Sequence, residues 1–171
     1  MATKPLSVFF CYAPQDEEIC QALEAHLAML ERQGYITSFT HRSVGAGVST
    51  RAEIDRQMDR ADLIVILVSA DLLASDHLYD VELRRALERQ AKRAEEVLGV
   101  LVRPCDYNHG ELAGLDVHPR EGREPKALSA WPSRDDGLVR VAEEIRRRAG
   151  LYVGSLSLNP RSAHPAPAPL G

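Results

Sequence analysis

Leu63-Ile64-Val65-Ile66-Leu67-Val68 is an unbroken apolar run of strand length, set between Ala61-Asp62 and Ser69-Ala70. A strand with one wet face alternates apolar and polar residues, so a run apolar at every position reads as a strand covered on both faces, the pattern of a parallel sheet. Similar runs lie on either side of it at Leu6 to Tyr12, Tyr35 to Phe39 and Val97 to Val102, and Ala127 to Trp131 reads as a weaker fifth. The segments between them carry helical spacing. Pro14 with Asp16, Glu17 and Glu18 opens a helix whose Ile19, Leu23, Leu27 and Leu30 form one stripe, closed by Gly34 at a C-terminal cap position. Thr50-x-x-Glu53 is a capping box ahead of Ile54 and Met58. A further helix is expected from Leu78 to Ala94, and a last one, opened by Asp135 and Asp136, on Leu138, Val141, Ala142 and Ile145. Pro104 to Lys126 reads as irregular.

Apolar strands alternating with amphipathic helices imply an α/β protein in three layers, because right-handed crossovers put helices on both faces of the sheet. The expected fold is flavodoxin-like, with a five-stranded parallel sheet in the order 2-1-3-4-5. Ligands of such sheets bind beyond the carboxyl ends of the strands, where the winding direction reverses. The loops to inspect are therefore Tyr12 to Asp16, His41 to Ser49 and Ser69 to Glu82.

Composition narrows the classes. The three cysteines, Cys11, Cys20 and Cys105, contain no C-x-x-C pair, which argues against a disulfide framework or zinc ribbon and for reduced thiols. The six histidines show no metal-ligand spacing, so no metal is expected. A formal net charge of -4 with interspersed signs gives no nucleic-acid footprint. Arg146-Arg147-Arg148 is read as a solvated helix end interacting with the dipole, with a binding patch as the alternative. No apolar run approaches the ~20 residues of a membrane span, and Met1 to Pro5 lacks a signal-peptide core, so the protein is expected in the cytoplasm. Residues 1–149 are expected to be the domain and 150–171, with Pro165-Ala166-Pro167-Ala168-Pro169, a Pro/Ala-rich tail or linker.

The crevice loops exclude several occupants of this fold. A phosphoacceptor receiver needs acids after strand one and an aspartate after strand three, where Tyr12-Ala13-Pro14 and Ser69-Ala70 stand. G-x-x-x-x-G-K-[ST], G-x-S-x-G and H-E-x-x-H are missing. Gly45-Ala46-Gly47 is a lone G-x-G, open to reading as flexible-loop glycines or a phosphate cradle.

What these loops do hold resembles the bacterial branch of the TIR (Toll/interleukin-1 receptor) domain family. Val8-Phe9-Phe10-Cys11-Tyr12 is similar to its first signature box, and Arg42-Ser43-Val44-Gly45-Ala46-Gly47 to its BB loop. Ala61 to Ser75, continuing through Tyr79-Asp80-Val81-Glu82, resembles the family's strand, serine, loop and glutamate; Arg103-Pro104-Cys105-Asp106 and Ala127 to Trp131 also fit. His41-Arg42 stands where Asp-Arg is usual, and Ala46 where the loop has proline. Leu78 and Tyr79 replace the aromatic of W-C-x-x-E, and the seven-residue step from Ser75 to Glu82 is one longer than the family pattern.

The resemblance implies an NAD⁺ nucleosidase that releases nicotinamide and ADP-ribose or a cyclic form, with NAD⁺ as substrate, no cofactor, and Glu82 as the catalytic residue. In NAD⁺ the ring departs neutral, so no general acid is needed and one carboxylate can stabilise the oxocarbenium-like charge. Tyr12, Ala13, Arg42, Ser43, Ser69, Ser75, His77 and Tyr79 are the implied substrate contacts, the stacking role passing to His77 or Tyr79. Alternatives stand beside each. Glu82 could be a solvated partner of Arg85, Ser69 and Ser75 could cap turns, and Tyr79 and Trp131 could be core aromatics. Arg42 is read as either a phosphate contact or part of the self-association loop Arg42 to Gly47. The implied partners are further copies of the chain, a filament among the forms, and a linked or associated sensor domain, in bacterial antiviral or stress signalling. Direct nucleic-acid and membrane contacts are not expected. The competing function is a non-catalytic scaffold that assembles like with like.

Overall fold

In a computed structural model, which describes residues 4–43 and 50–158, the run Leu63–Val68 is the middle strand of a sheet and every residue in it is buried. The five strands are β1 (Leu6–Cys11), β2 (Ile36–Phe39), β3 (Leu63–Val68), β4 (Val97–Leu101) and β5 (Val117–His118), in the order β2-β1-β3-β4-β5. All pairings in this sheet are parallel. The flavodoxin-like α/β expectation holds.

The period of two in β3 divides the interior. Leu63, Val65 and Leu67 face a core with Leu23 and Leu27 of α1 (Glu17–His26) and its end, Leu30 of α2 (Ala28–Arg32), and Leu138, Val141 and Ile145 of α6 (Arg134–Leu158). Ile64, Ile66 and Val68 face the other, with Ile54 and Met58 of α3 (Thr50–Arg60), Leu72 of α4 (Ala70–Ala74) and Ala86 of α5 (Arg84–Lys92). Burying apolar surface at roughly 25 cal/mol per Å² on both faces is what makes a wholly apolar strand stable here. Gly34 closes α2 with φ +78°, a left-handed conformation that suits glycine, and lets Tyr35 N–H reach Leu30 O at 2.9 Å.

Three expectations need correction. The fifth strand is Val117–His118, inside the stretch read as irregular, and Leu128–Ala130 is a 3₁₀ turn leading into α6. β5 docks because Gly99 of β4 has no side chain: a Cβ there would lie 2.8 Å from Leu115 Cδ2 and 3.1 Å from Val117 Cγ2. The expected helix from Leu78 begins instead as a π-helical turn, Leu78–Leu83, before α5. Finally, α6 runs on to Leu158, so Arg146 to Arg148 are mid-helix, and Arg148 is buried rather than solvated. A short antiparallel hairpin, β6 (Arg120–Glu121) and β7 (Glu124–Pro125), follows β5. Residues 44–49, which hold most of the expected self-association loop, and residues 159–171 of the expected tail lie outside the described residues. No helix among the described residues is long and apolar enough to cross a membrane.

Candidate functional site

Four carboxyl-end segments converge: Tyr12-Ala13 after β1, His41-Arg42 after β2, Ser69 after β3, and the π-helical turn beyond α4. Glu82 sits in that turn and is 2% exposed, so it is not a solvated partner of Arg85. Arg85 instead bonds Asp55 and Asp59 of α3, both at 2.5 Å. One oxygen of Glu82, Oε1, lies 2.8 Å from His41 Nε2. The other, Oε2, is buried with no hydrogen-bond partner among the described residues. A buried carboxylate oxygen without a protein partner costs stability unless water or a ligand completes it.

The π turn explains how Glu82 arrives there. Arg84 N–H bonds Tyr79 O, a five-residue step that admits one more residue than an α-turn. Each extra residue rotates the downstream helix by ~100° about its axis. The step from Ser75 to Glu82 is one residue longer than in the pattern the sequence resembles, and the wide turn absorbs that residue while returning the glutamate to the interior.

Around the pair, His41 stacks on Tyr12, with ring centroids 5.7 Å apart and planes at 19°, and is tilted against Phe9 at 6.1 Å. The Tyr12 hydroxyl donates to Glu17 Oε2 at 2.5 Å. Arg42 is turned to α1, paired with Glu17 and, at 2.7 Å, with Glu24. The hydrogen bond to Glu82 raises His41 above the usual imidazole value against the opposing effect of burial. Burial, then the negative charge of Glu82, pushes the Cys11 thiol well up. Burial and the bond to Glu17 likewise raise the Tyr12 phenol. Glu17 itself is lowered, since burial is outweighed by hydrogen bonds from Tyr12 and Gln21 and the charge of Arg42.

The serines act as caps. Ser69 is fully buried, donates to Asp16 Oδ2 at 2.5 Å and accepts from Leu72 N–H at 3.2 Å, opening α4. Arg103 takes the other oxygen of Asp16 at 2.8 Å, which ties the ends of β1, β3 and β4 together. Ser75 accepts from Leu78 N–H at 3.4 Å. Ala13 is completely buried, His77 is exposed, and Tyr79 is half-buried against the α3/α5 core. The side chain of Ser43 lies outside the described residues, its backbone closing a 3₁₀ turn with His41 and Arg42. Trp131 is remote in kind: its Nε1–H donates to Lys126 O at 3.1 Å and Lys126 Nζ lies 4.8 Å over its ring.

His41 and Asp16 bound the loops that the sequence marks for inspection, but neither is among the expected substrate contacts. The one available signal for His41 was its occupancy of a position where the similar family has aspartate. Elsewhere, Asp116, His118 and Glu144 bring donor atoms within 4.8 Å of one another. Their oxygens already accept from guanidinium groups: Arg148 at 2.7 Å and Arg120 at 2.8 Å on Asp116, and Arg148 at 3.0 Å on Glu144. This is an ion-pair cluster in which the carboxylates are already neutralised by arginine side chains.

Comparison with known proteins agrees with the geometry. The family model described as TIR domain matches residues 8–136. The uncharacterized protein y4lF of Sinorhizobium fredii (strain NBRC 101917 / NGR234) is 38% identical over 173 aligned positions, covering 96% of this chain and 53% of that protein. The chain thus spans about half the length of this relative.

Proposed function

We propose, from the premise that this chain belongs to the TIR domain family, that it is an NAD⁺ nucleosidase in which Glu82 is the catalytic carboxylate. The observation that carries the reading is the buried Glu82, beside the carboxyl ends of the strands, with one oxygen bonded to His41 and the other without a partner among the described residues. In the reaction the ribose–nicotinamide C–N bond breaks and its electron pair leaves with the ring, which becomes neutral. Positive charge develops on the ribose, and the carboxylate stabilises it while accepting a hydrogen bond from a ribose hydroxyl. Water then captures the sugar carbon and releases a proton, giving ADP-ribose, or a nucleophile within the same molecule gives a cyclic form. No acid is required at the leaving group, which suits a site with one buried glutamate.

Tyr12, Ala13, Ser69, Ser75, His77 and Tyr79 border the crevice in this reading, with Ser69 and Ser75 contributing through the turns they cap. Arg42 and Ser43 begin the loop to Gly47, through which copies of the chain associate and complete the active state. An Arg42 side chain held by Glu17 and Glu24 can exchange those partners for a neighbouring subunit or a phosphate. The setting we infer is cytoplasmic bacterial immune or stress signalling, with a linked or associated sensor domain.

Incubating assembled protein with NAD⁺ and separating the products by chromatography tests this directly. Nicotinamide release that depends on Glu82 supports it. Absence of release from the assembled wild type replaces it with the scaffold function. Arg42→Ala and Gly47→Pro should lower both self-association and turnover with the fold intact; scattering profiles and rates equal to those of the parent would remove the loop from the account.

A further inference from the structure

Glu82 does not stand alone, and its neighbour, though partly exposed, is held on three sides. His41 follows β2 after one intervening residue, begins a 3₁₀ turn, stacks on Tyr12 and packs against Phe9 of β1. Its ring therefore has little freedom to swing away from Glu82 Oε1, 2.8 Å from Nε2. An ionised carboxylate only accepts hydrogen bonds, so Nε2 carries a proton whether the imidazole is neutral or cationic. The charge of the pair depends on the second nitrogen alone: with Nδ1 bare the pair is an anion, and with Nδ1 protonated it is neutral.

We propose that His41 is the positioning residue for Glu82, holding Oε1 so that Oε2 is left for the substrate's ribose hydroxyl, and that the pair works in its anionic, neutral-imidazole form. This rests on the reading of Glu82 as the catalytic carboxylate. A cationic nicotinamide ring and a developing oxocarbenium charge are both favoured by an anionic site and disfavoured by an imidazolium beside the carboxylate. The groups that face His41 are Glu82 from the π turn, Glu17 from α1, and Tyr12 beyond β1, while the adjacent Arg42 is turned to Glu17 and Glu24. The two acids favour the cation, which agrees with the raised basicity of His41. Turnover should consequently rise with pH through the titration of His41.

Two variants separate holding from charge. His41→Gln keeps an N–H donor and cannot be protonated; His41→Ala removes both. With His41→Ala, kcat should fall by about tenfold or more with a smaller change in KM, because the carboxylate loses its anchor. His41→Gln should restore most of that loss at pH 8.5 and abolish the acid limb, so that at pH 6 it turns over NAD⁺ faster than wild type. Independently of activity, the imidazole resonances of His41 followed by NMR should titrate at lower pH in Glu82→Gln than in wild type. Equal titration in the two proteins overturns the proposal whatever the turnover. A coupled titration with superimposable pH profiles for wild type and His41→Gln overturns the positioning role and leaves Glu82 catalytic. A coupled titration with no nicotinamide release at any pH overturns the proposed function, and the catalytic half of this inference with it.

Discussion

At the amino ends of β4 and β5 the Arg148 guanidinium donates to Glu95 O at 2.9 Å, Val97 O at 3.0 Å, Asp116 at 2.7 Å and Glu144 at 3.0 Å. At the carboxyl ends of β1 to β3 the Glu82 carboxylate has His41 on one oxygen and nothing among the described residues on the other. Both are buried ionisable side chains on helical segments packed beside the same sheet. The first is satisfied on all sides and fastens α6 to the sheet edge. The second has an oxygen open to a further partner at the end of the sheet where ligands of this fold bind, the feature on which the proposed function rests.

The contrast can be broken from either side. Arg148→Ala leaves the buried Val97 O without its donor and takes one partner each from Glu144 and the half-exposed Asp116, which keep Arg147 and Arg120, so it should cost about 1–3 kcal/mol of stability. Urea denaturation would show this as a large fall in the midpoint, while turnover per folded molecule stays near wild type; a midpoint unchanged within error would deny Arg148 its fastening role. Glu82→Gln should do the reverse, lowering nicotinamide release by at least about a hundredfold. Its melting temperature should not fall at neutral pH, since the substitution keeps the shape of a side chain whose second oxygen has no partner among the described residues. Equal release by the two proteins would refute the catalytic assignment.

Ser69 sharpens the comparison, because it lies at the ligand-binding end yet is bonded like a structural residue. Ser69→Ala uncaps α4 and deprives Asp16 of a donor, so it should cost about 1–2 kcal/mol with only a small effect on kcat. A loss of turnover without a loss of stability would make it a nucleotide contact instead.

The smallest effect is in pH dependence. Burial would raise Glu144, but the bonds from Arg147 and Arg148 outweigh it and bring the carboxyl from 4.5 to about 2. A depressed acid contributes stability that is complete above its unfolded value and lost as pH falls from about 4.5 through about 2. His41 is raised, so its contribution is complete below its unfolded value of 6.5 and lost as pH rises through the higher folded value. Melting temperature followed against pH should therefore lose part of its acid limb in Arg148→Ala and part of its neutral limb in Glu82→Gln. Parallel curves for all three proteins would dissolve the distinction between the two ends.

β1, β3 and β4 and both helical layers are legible in the chain because each rests on a repeated local pattern: unbroken apolar runs for two-faced strands, and stripes at helical spacing for α1, α3 and α6; the order of the sheet follows from the alternation of strands with helices and not from any one segment. Glu82 is legible through the family resemblance of Ala61 to Glu82. β5 is not legible, since a strand of two residues has no period, and its docking depends on the space over Gly99. Nor is the π turn, which differs from an α-turn by one residue and leaves the apolar spacing almost unchanged. Pattern along the chain thus carries the layers, and family resemblance points to Glu82. The burial of Glu82, its pairing with His41 rather than Arg85 and the interior position of Arg148 emerge from the folded chain alone, because those pairings join residues 41 and 32 positions apart. Contacts of that separation are set by which strands lie side by side, and local periodicity carries no record of them.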